Sequence, residues 1–288
     1  MTSLIGNAPV DGVDVAALLG IPISAEQERA VQAPLKPCAV IAGAGTGKTT
    51  VMAARVVWLV ASRLVSPEEI LGLTFTNKAT AELSERIESN LTRVGLLTSE
   101  QPRPTVATYD SFAGTLVNDY GAWDGISTGA HLITGARAYQ LAAEVVMGLD
   151  KAPLAATHMG PTFIAQAVVK LAGAMASHDA SPGKVRRADA RWRQMLLAAP
   201  TKRGGDRYAD IDKWLSRVDE REELLDLVAA YQNLKKERGL VEFGDRMVQA
   251  LHLVTHHPRV GEELRARYRV VLLDEYQDTS SALSLIHI

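Results

Sequence analysis

Apolar positions along the chain fall into two recurring patterns, short unbroken runs and longer stretches at helical spacing, and their order predicts the elements. From Ser24 the pattern is helical (SAEQERAVQA), and Pro34 and Pro37 end it before an apolar run at 38–42 short enough to be a buried strand. A glycine-rich stretch follows, then a long Ala/Val-rich helical pattern (TVMAARVVWLVASRL), then ILGLTF, which reads as a second buried strand. A further helix begins near Asn77, with Leu83, Ile87, Leu91 and Val94 at helical spacing. Residues 104–108 (PTVAT) read as a third strand, running into a helix through Phe112, Leu116 and Val117. Alternation of apolar strand, loop and helix is the signature of parallel α/β units, a sheet with helices on its faces. Residues 1–22 mix Gly, Pro and small apolar residues without period and read as a loosely ordered lead-in.

The character changes over about 113–240. Segments such as ARAYQLAAEVVMGL, FIAQAVVKLAGAMASH, ARWRQMLLAA and DKWLSRVDEREELLDLVAAYQNLKKERG are helix-like, with hardly any strand signal. Strand character returns with RVVLLDE at 269–275, a nearly continuous apolar run suited to a strand buried on both faces. The pattern divides the chain into the lead-in, an α/β part over 23–112, a mainly helical subdomain over 113–240, and a second α/β part over 241–282. It shows no internal repeat and no low-complexity tract.

Composition narrows the class without changing this picture. At 288 residues, 47% hydrophobic and 22% charged, the chain has the make-up of an ordinary globular protein of one or two domains. Its single cysteine, Cys38, leaves no disulfide framework within one chain and suits a reduced compartment, so the cytoplasm is the expected setting. Neither an export signal at the start nor an apolar run long enough for a membrane span is present. A net charge of −2 argues against coating nucleic acid through overall positive potential, but leaves a local groove open. One stretch is locally basic: Lys184, Arg186, Arg187, Arg191, Arg193, Lys202, Arg203 and Arg207 stand against Asp189 and Asp206, with Trp192 and Tyr208 alongside. A run of that kind is either a solvated helix face or a nucleic-acid contact.

Two segments carry chemistry. Residues 42–50 read AGAGTGKTT, after the first apolar run and before a helix, the context a phosphate-binding loop requires. Glycines at 43, 45 and 47, preceded by Ala42 and separated by Ala44 and Thr46, let backbone N–H groups converge on phosphate oxygens. The start of the following helix adds to the attraction for anions. Lys48 is placed to neutralise the β- and γ-phosphates, Thr49 to put its hydroxyl on Mg²⁺, and Thr50 closes the loop. Ala42 stands where the motif GxxxxGK[ST] has its first Gly. The second segment, Asp274-Glu275-Tyr276-Gln277-Asp278, ends the last apolar strand, where ligands of an open α/β sheet gather. There Asp274 would assist Mg²⁺, Glu275 would orient and polarise water, and Gln277 would sense the γ-phosphate. Paired carboxylates at a strand end are also common as surface caps. The stretch from Lys48 to Asp274 is far longer than one RecA-like sheet needs, so the helical 113–240 segment reads as a large insertion between strands of one core.

In this order the segments resemble superfamily 1 helicases of the UvrD/Rep/PcrA type, over essentially the whole chain after residue 20. Residues 24–33 resemble the family's glutamine motif, which implies that Gln27 reads the adenine edge. Ser24 with Gln27 three residues on is equally a helix capping box. Residues 73–83 (LTFTNKATAEL) resemble the first DNA-contacting motif, 107–113 (ATYDSFA) the second, and 272–279 (LLDEYQDT) the Walker B motif. The resemblance implies a P-loop, RecA-like parallel sheet interrupted by a helical subdomain, ATP with Mg²⁺, single-stranded DNA and single-strand/duplex junctions as partners, and 3′ to 5′ movement in repair or recombination. Thr76 and Asn77 would then offer a helix start to phosphate, while Thr108, Tyr109, Ser111 and Phe112 would offer hydroxyls and stacking faces. Alone, each of those aromatics is more often core.

Three departures from the family pattern stand out. Thr50 occupies the place of an Arg that packs on the base, and Asp110 that of a His in the second DNA motif. The chain also ends just after the Walker B segment, where family members continue into a second RecA-like domain with arginine fingers. An arginine finger contributes roughly 10³–10⁵ in phosphoryl-transfer rate, about 4–7 kcal/mol, so a piece without it is expected to turn nucleotide over very slowly. Residues 283–288 (LSLIHI) back-translate, in one codon choice, to a transposon-end sequencing adapter and are expected to be adapter-derived.

Overall fold

The computed structural model of the chain describes residues 12–43, 45–127, 129–149, 160–202 and 205–278. Residues 1–11 of the lead-in, Ala44 of the loop, Arg203 of the basic stretch and the 283–288 tail lie outside the described residues.

Helix α1 (Val15–Leu19) stands within the expected lead-in. Asp14 caps it, accepting a hydrogen bond from the Ala17 N–H at 2.9 Å, and Val15 and Leu19 are buried one turn apart. Its five residues, all apolar, span little more than one turn and make no detectable period, which is why the pattern missed it. Helix α2 (Ala25–Val31) opens on a full capping box, Ser24 bonding the Gln27 N–H and the Gln27 side chain returning to the Ser24 N–H. Next come α3 (Lys48–Ala61), β1 (Ile70–Thr74), α4 (Asn77–Arg93), β2 (Thr105–Thr108) and α5 (Tyr109–Tyr120). A two-residue strand β3 (His131–Leu132) precedes the helices α6 (Gly135–Met147), α7 (Pro161–Ser177), α8 (Pro182–Leu197) and α9 (Ala209–Glu237). After β4 (Leu240–Val241) the chain continues as α10 (Phe243–His256), α11 (Pro258–Arg267) and β5 (Val270–Leu273).

The architecture is α/β and rich in helix, with a small parallel sheet of order β2-β1-β5. β1 is central and buried along its whole length, as a strand flanked on both edges must be. The segment 38–42, expected as a buried strand, is not one: it joins no ladder, and Ile41 is 98% exposed. Apolar content marks a segment that can pair, but strand structure needs a neighbour's backbone, and the described ladders of this sheet are formed among β1, β2 and β5 alone. β5 is half-buried beyond Val270 rather than covered on both faces.

The chain divides into two compact units, one of residues 1–112 with 254–279, the other of 113–253. The first has a core of α1–α4, β1 and β5 side chains, among them Leu19, Val56, Leu59, Ile70, Leu83, Ile87, Leu91 and Val270. Leu83, Ile87 and Leu91 recur at i, i+4, i+8 on α4, the stripe that lays this helix on the sheet. The second unit packs α6, α7 and α9 around Leu141, Ile164, Val168, Leu225, Val228 and Tyr231, with β3 and β4 pairing in parallel beside them.

Candidate nucleotide-binding site

Gly45 and Gly47 have φ of 76° and 82°, a region strained for any residue with a side chain, and Gly47 serves as the N-cap of α3. With no side chain to cap it, the first turn of α3 leaves its N–H groups toward the loop, where Lys48, Thr49 and Thr50 are the first three helical residues. Inside the loop Thr46 donates its hydroxyl to the Gly43 carbonyl at 2.8 Å. The Thr46 carbonyl in turn accepts from the Gln27 side-chain amide at 3.0 Å. Both ends of that amide are therefore engaged, one in the capping box and one on the loop.

Because β1, β2 and β5 run parallel, their carboxyl ends lie along one edge of the sheet, with Thr74 level with Thr108 and Leu73 level with Leu273. Asp274 leaves β5 with its N–H bonded to the Leu73 carbonyl at 2.9 Å. Its carboxylate accepts the Glu275 N–H at 3.0 Å. Glu275 has φ of 49°, a left-handed conformation unusual for a side chain of this length. The turn it makes brings its carboxylate within 3.2 Å of the Lys48 ammonium. Gln277 donates its amide to the other Glu275 oxygen. Lys48 and the Glu275–Gln277 pair, remote in sequence, thus meet.

The two adjacent carboxyls are tuned in opposite directions. Asp274 is pushed above the usual range, first by burial and then by the neighbouring Glu275 charge. Glu275 is held below it by the Gln277 hydrogen bond and then by Lys48. Burial also drives the Tyr109 phenol upward, and its hydroxyl donates to the Asp274 carbonyl at 3.2 Å. Among the described residues no group of three or more His, Cys, Asp or Glu forms a metal cage.

The expected DNA residues emerge from the same sheet edge. Thr76 caps α4 through the Ala79 N–H at 3.1 Å, leaving Asn77 exposed at the helix start. Thr108 accepts the Ser111 N–H at 3.1 Å, and Ser111 is exposed. Tyr109 and Phe112, expected as stacking faces, are turned inward instead, 5% and 6% exposed, with Phe112 edge-on to Tyr268. The reason is packing: Tyr109 meets Phe75 just past β1, and Phe112 meets Tyr268 just before β5. Phe75, which the sequence pattern did not single out, is an exposed ring here, as is Tyr276 beyond β5, and lies edge-on to Tyr109 at 5.3 Å. A large apolar residue one step beyond a buried strand was the available signal.

Two arginines were also missed. Arg86 of α4 donates to the Thr50 hydroxyl at 2.8 Å, joining the helix that follows β1 to the loop helix. Arg55 of α3, buried, donates to the carbonyls of Val31 at 2.9 Å and Ala33 at 2.8 Å, with Ala30 and Pro34 at 3.3 Å. Four of the seven described cations of the basic stretch are paired with carboxylates of the second unit. Arg186 pairs with Glu222 and Asp226, Arg193 with Asp219, Lys184 with Asp179, and Arg207 with Asp212.

A glycine loop opening an uncapped helix and facing paired carboxylates at the end of a neighbouring parallel strand is the arrangement shared by P-loop nucleotide-binding proteins. Residues 23–287 match the UvrD/REP helicase N-terminal domain, and the chain belongs to that family. It is 25% identical over 258 residues to a probable DNA helicase II homolog of Rickettsia felis, covering 90% of this chain and 34% of that protein. To the ATP-dependent DNA helicase UvrD1 of Mycobacterium leprae it is 26% identical over 265 residues, 90% of this chain and 29% of the relative. To DNA helicase II of Haemophilus influenzae it is 28% identical over 269 residues, 93% and 32%. The chain therefore spans about a third of the length of these relatives. No helix among the described residues is long and apolar enough to cross a membrane.

Proposed function

We propose that this chain is the ATP-binding part of a cytoplasmic 3′ to 5′ DNA helicase of repair or recombination, acting on single-stranded DNA and single-strand/duplex junctions. The observation that carries the reading is the contact of Lys48 with Glu275, which joins a phosphate-type loop to a strand-end carboxylate pair. In this reading the RecA-like core is split, with the 113–240 helices inserted between β2 and β5. Lys48 neutralises the β- and γ-phosphates, and the free N–H groups of loop and helix take up phosphate oxygens. Thr49 and Asp274 would hold Mg²⁺, which when bound would neutralise charge on the phosphates. The raised Asp274 carboxyl fits this role, because a half-buried charge repelled by a neighbour is relieved by a cation.

Glu275, kept ionised by Gln277 and Lys48, orients and polarises the attacking water once nucleotide draws Lys48 away. Gln277 then reports the γ-phosphate to that carboxylate. Gln27 sits where it touches both its own helix start and the loop; reading an adenine edge would exchange its Thr46 bond for one to the base. Thr76, Asn77, Thr108 and Ser111 follow the DNA backbone along the sheet edge, with Phe75 an exposed ring.

Lys48→Ala should abolish binding of a fluorescent ATP analogue. Glu275→Gln should bind it more tightly, since the Glu275 carboxylate no longer competes with phosphate for Lys48. The same variant should lose single-turnover hydrolysis. A Lys48→Ala chain that binds ATP as well as the parent would refute the site. The relatives' greater length favours one further reading, that this piece alone binds nucleotide and DNA without turnover. Absence of any DNA-stimulated single-turnover rate in the parent chain would select it.

A further inference from the structure

In the helical unit, α8 and α9 carry two tryptophans that are not core. Trp192 and Trp214 stack with ring centroids 6.2 Å apart and planes 21° from parallel, yet are 44% and 47% exposed. Met195, one helical turn past Trp192, is 68% exposed beside them. Indoles are highly buried on average, so an exposed stacked pair is a surface built for contact.

The charges of α8 are sorted by helix face. The residues of α8 turned to α9, Asp189, Arg186 and Arg193, are all engaged: Asp189, buried, takes both arms of Arg221, while Arg186 and Arg193 meet acidic residues of α9. The solvent face differs. Arg187 and Arg191, four residues apart and largely open to solvent, make no ion pair with a carboxylate among the described residues. On α9 the Arg217 guanidinium lies over the Trp214 ring at 5.3 Å.

We propose that the Trp192–Trp214 flank is a base-stacking site for single-stranded nucleic acid, with Arg187, Arg191 and Arg217 receiving the backbone phosphates. Aromatic faces among uncompensated cations are the recognition chemistry of single strands. A duplex, whose bases stack on one another, presents no base face to an indole. The site rests on the reading of the protein as a DNA-binding motor, but every residue in it lies within 113–253, and none belongs to the nucleotide site.

The experiment is anisotropy titration of a labelled oligothymidylate with the whole 288-residue chain, alongside ATP-analogue binding. Trp192→Ala and Trp214→Ala should each weaken the oligonucleotide about fivefold or more, as removal of one stacked base does. Trp192→Phe should retain most of the affinity. Arg187→Glu with Arg191→Glu, which leaves both rings in place, should weaken binding and lower the salt slope by about 0.7 for each phosphate no longer neutralised. ATP-analogue affinity should not change in any of them. If the parent binds the oligonucleotide while the Trp192→Ala and double-Glu variants match it in affinity and salt slope, the proposal is overturned and the DNA reading stands. If Trp192→Ala instead removes only a concentration-dependent self-association seen by sedimentation, the flank is an interface between copies and the proposal is likewise overturned. A parent chain that binds no single strand overturns both readings.

Discussion

Asp274 carries an unfavourable charge in the proposed nucleotide site. Burial and Glu275 both raise its pKa, so its contribution to stability is present at low pH and is lost as pH rises through the folded value. Glu275 runs the other way: its lowered pKa gives stability above the ordinary carboxylate range, lost as pH falls through the folded value. Asp274→Asn should therefore raise the Tm of the nucleotide-free chain at pH 7, with the gain shrinking toward pH 4, while removing the Mg²⁺ dependence of ATP binding. A Tm that falls on substitution, or a gain that grows on acidification, would contradict the assignment. Sequence alone could name both carboxylates as candidates, because adjacent acids at the end of an apolar strand are visible as text. It could not tell which one is unfavourable, because that depends on burial and on Lys48 arriving from another part of the chain.

At the level of elements, α2 is held at both ends. Its start is tied to the phosphate loop by Gln27, and its last carbonyls are tied to α3 by Arg55. A guanidinium at a helix C-terminus meets the negative end of the helix dipole, which favours it further. Burial lowers the Arg55 pKa, yet four carbonyl oxygens surround the group and keep it charged. Arg55→Met should lose about 3 kcal/mol, since hydrogen bonds to charged groups contribute about 1.5–3 kcal/mol each and water replaces only some of them. Thermal unfolding followed by circular dichroism should show a fall of roughly 5–10 °C; a shift under about 2 °C would mean the clamp is incidental. The capping box at Ser24 was legible because it is purely local. Arg55 was not, because its partners are identified only once α2 and α3 lie side by side.

At the level of the molecule, the two compact units separate the chemistries proposed above. Saturating ATP with Mg²⁺ should slow amide exchange at residues 42–50, around Gln27 and at 274–277, and leave α6, α7 and α9 unchanged. Protection confined to the helical unit would place the nucleotide elsewhere. The apolar patterns indicated the α/β alternation and the helical stretch because both rest on periodicity, which needs no tertiary information. They erred at 38–42, where an apolar run finds no neighbouring backbone, and at α1, where the period is too short to register.

By itself the sequence determined what is local: the glycines that permit positive φ at 45 and 47, the helix caps, the apolar runs and the acid pair that ends one of them. Each follows from steric or hydrogen-bonding rules acting over a few residues. Only the tertiary structure decided what depends on distant partners. It brought Lys48 to Glu275 and turned Tyr109 and Phe112 inward while exposing Phe75. It spent much of the basic run on carboxylates of α9 and left Trp192 and Trp214 stacked at the surface. Charge pairing and burial depend on which surfaces meet, and nothing in residue order states that before the chain is folded.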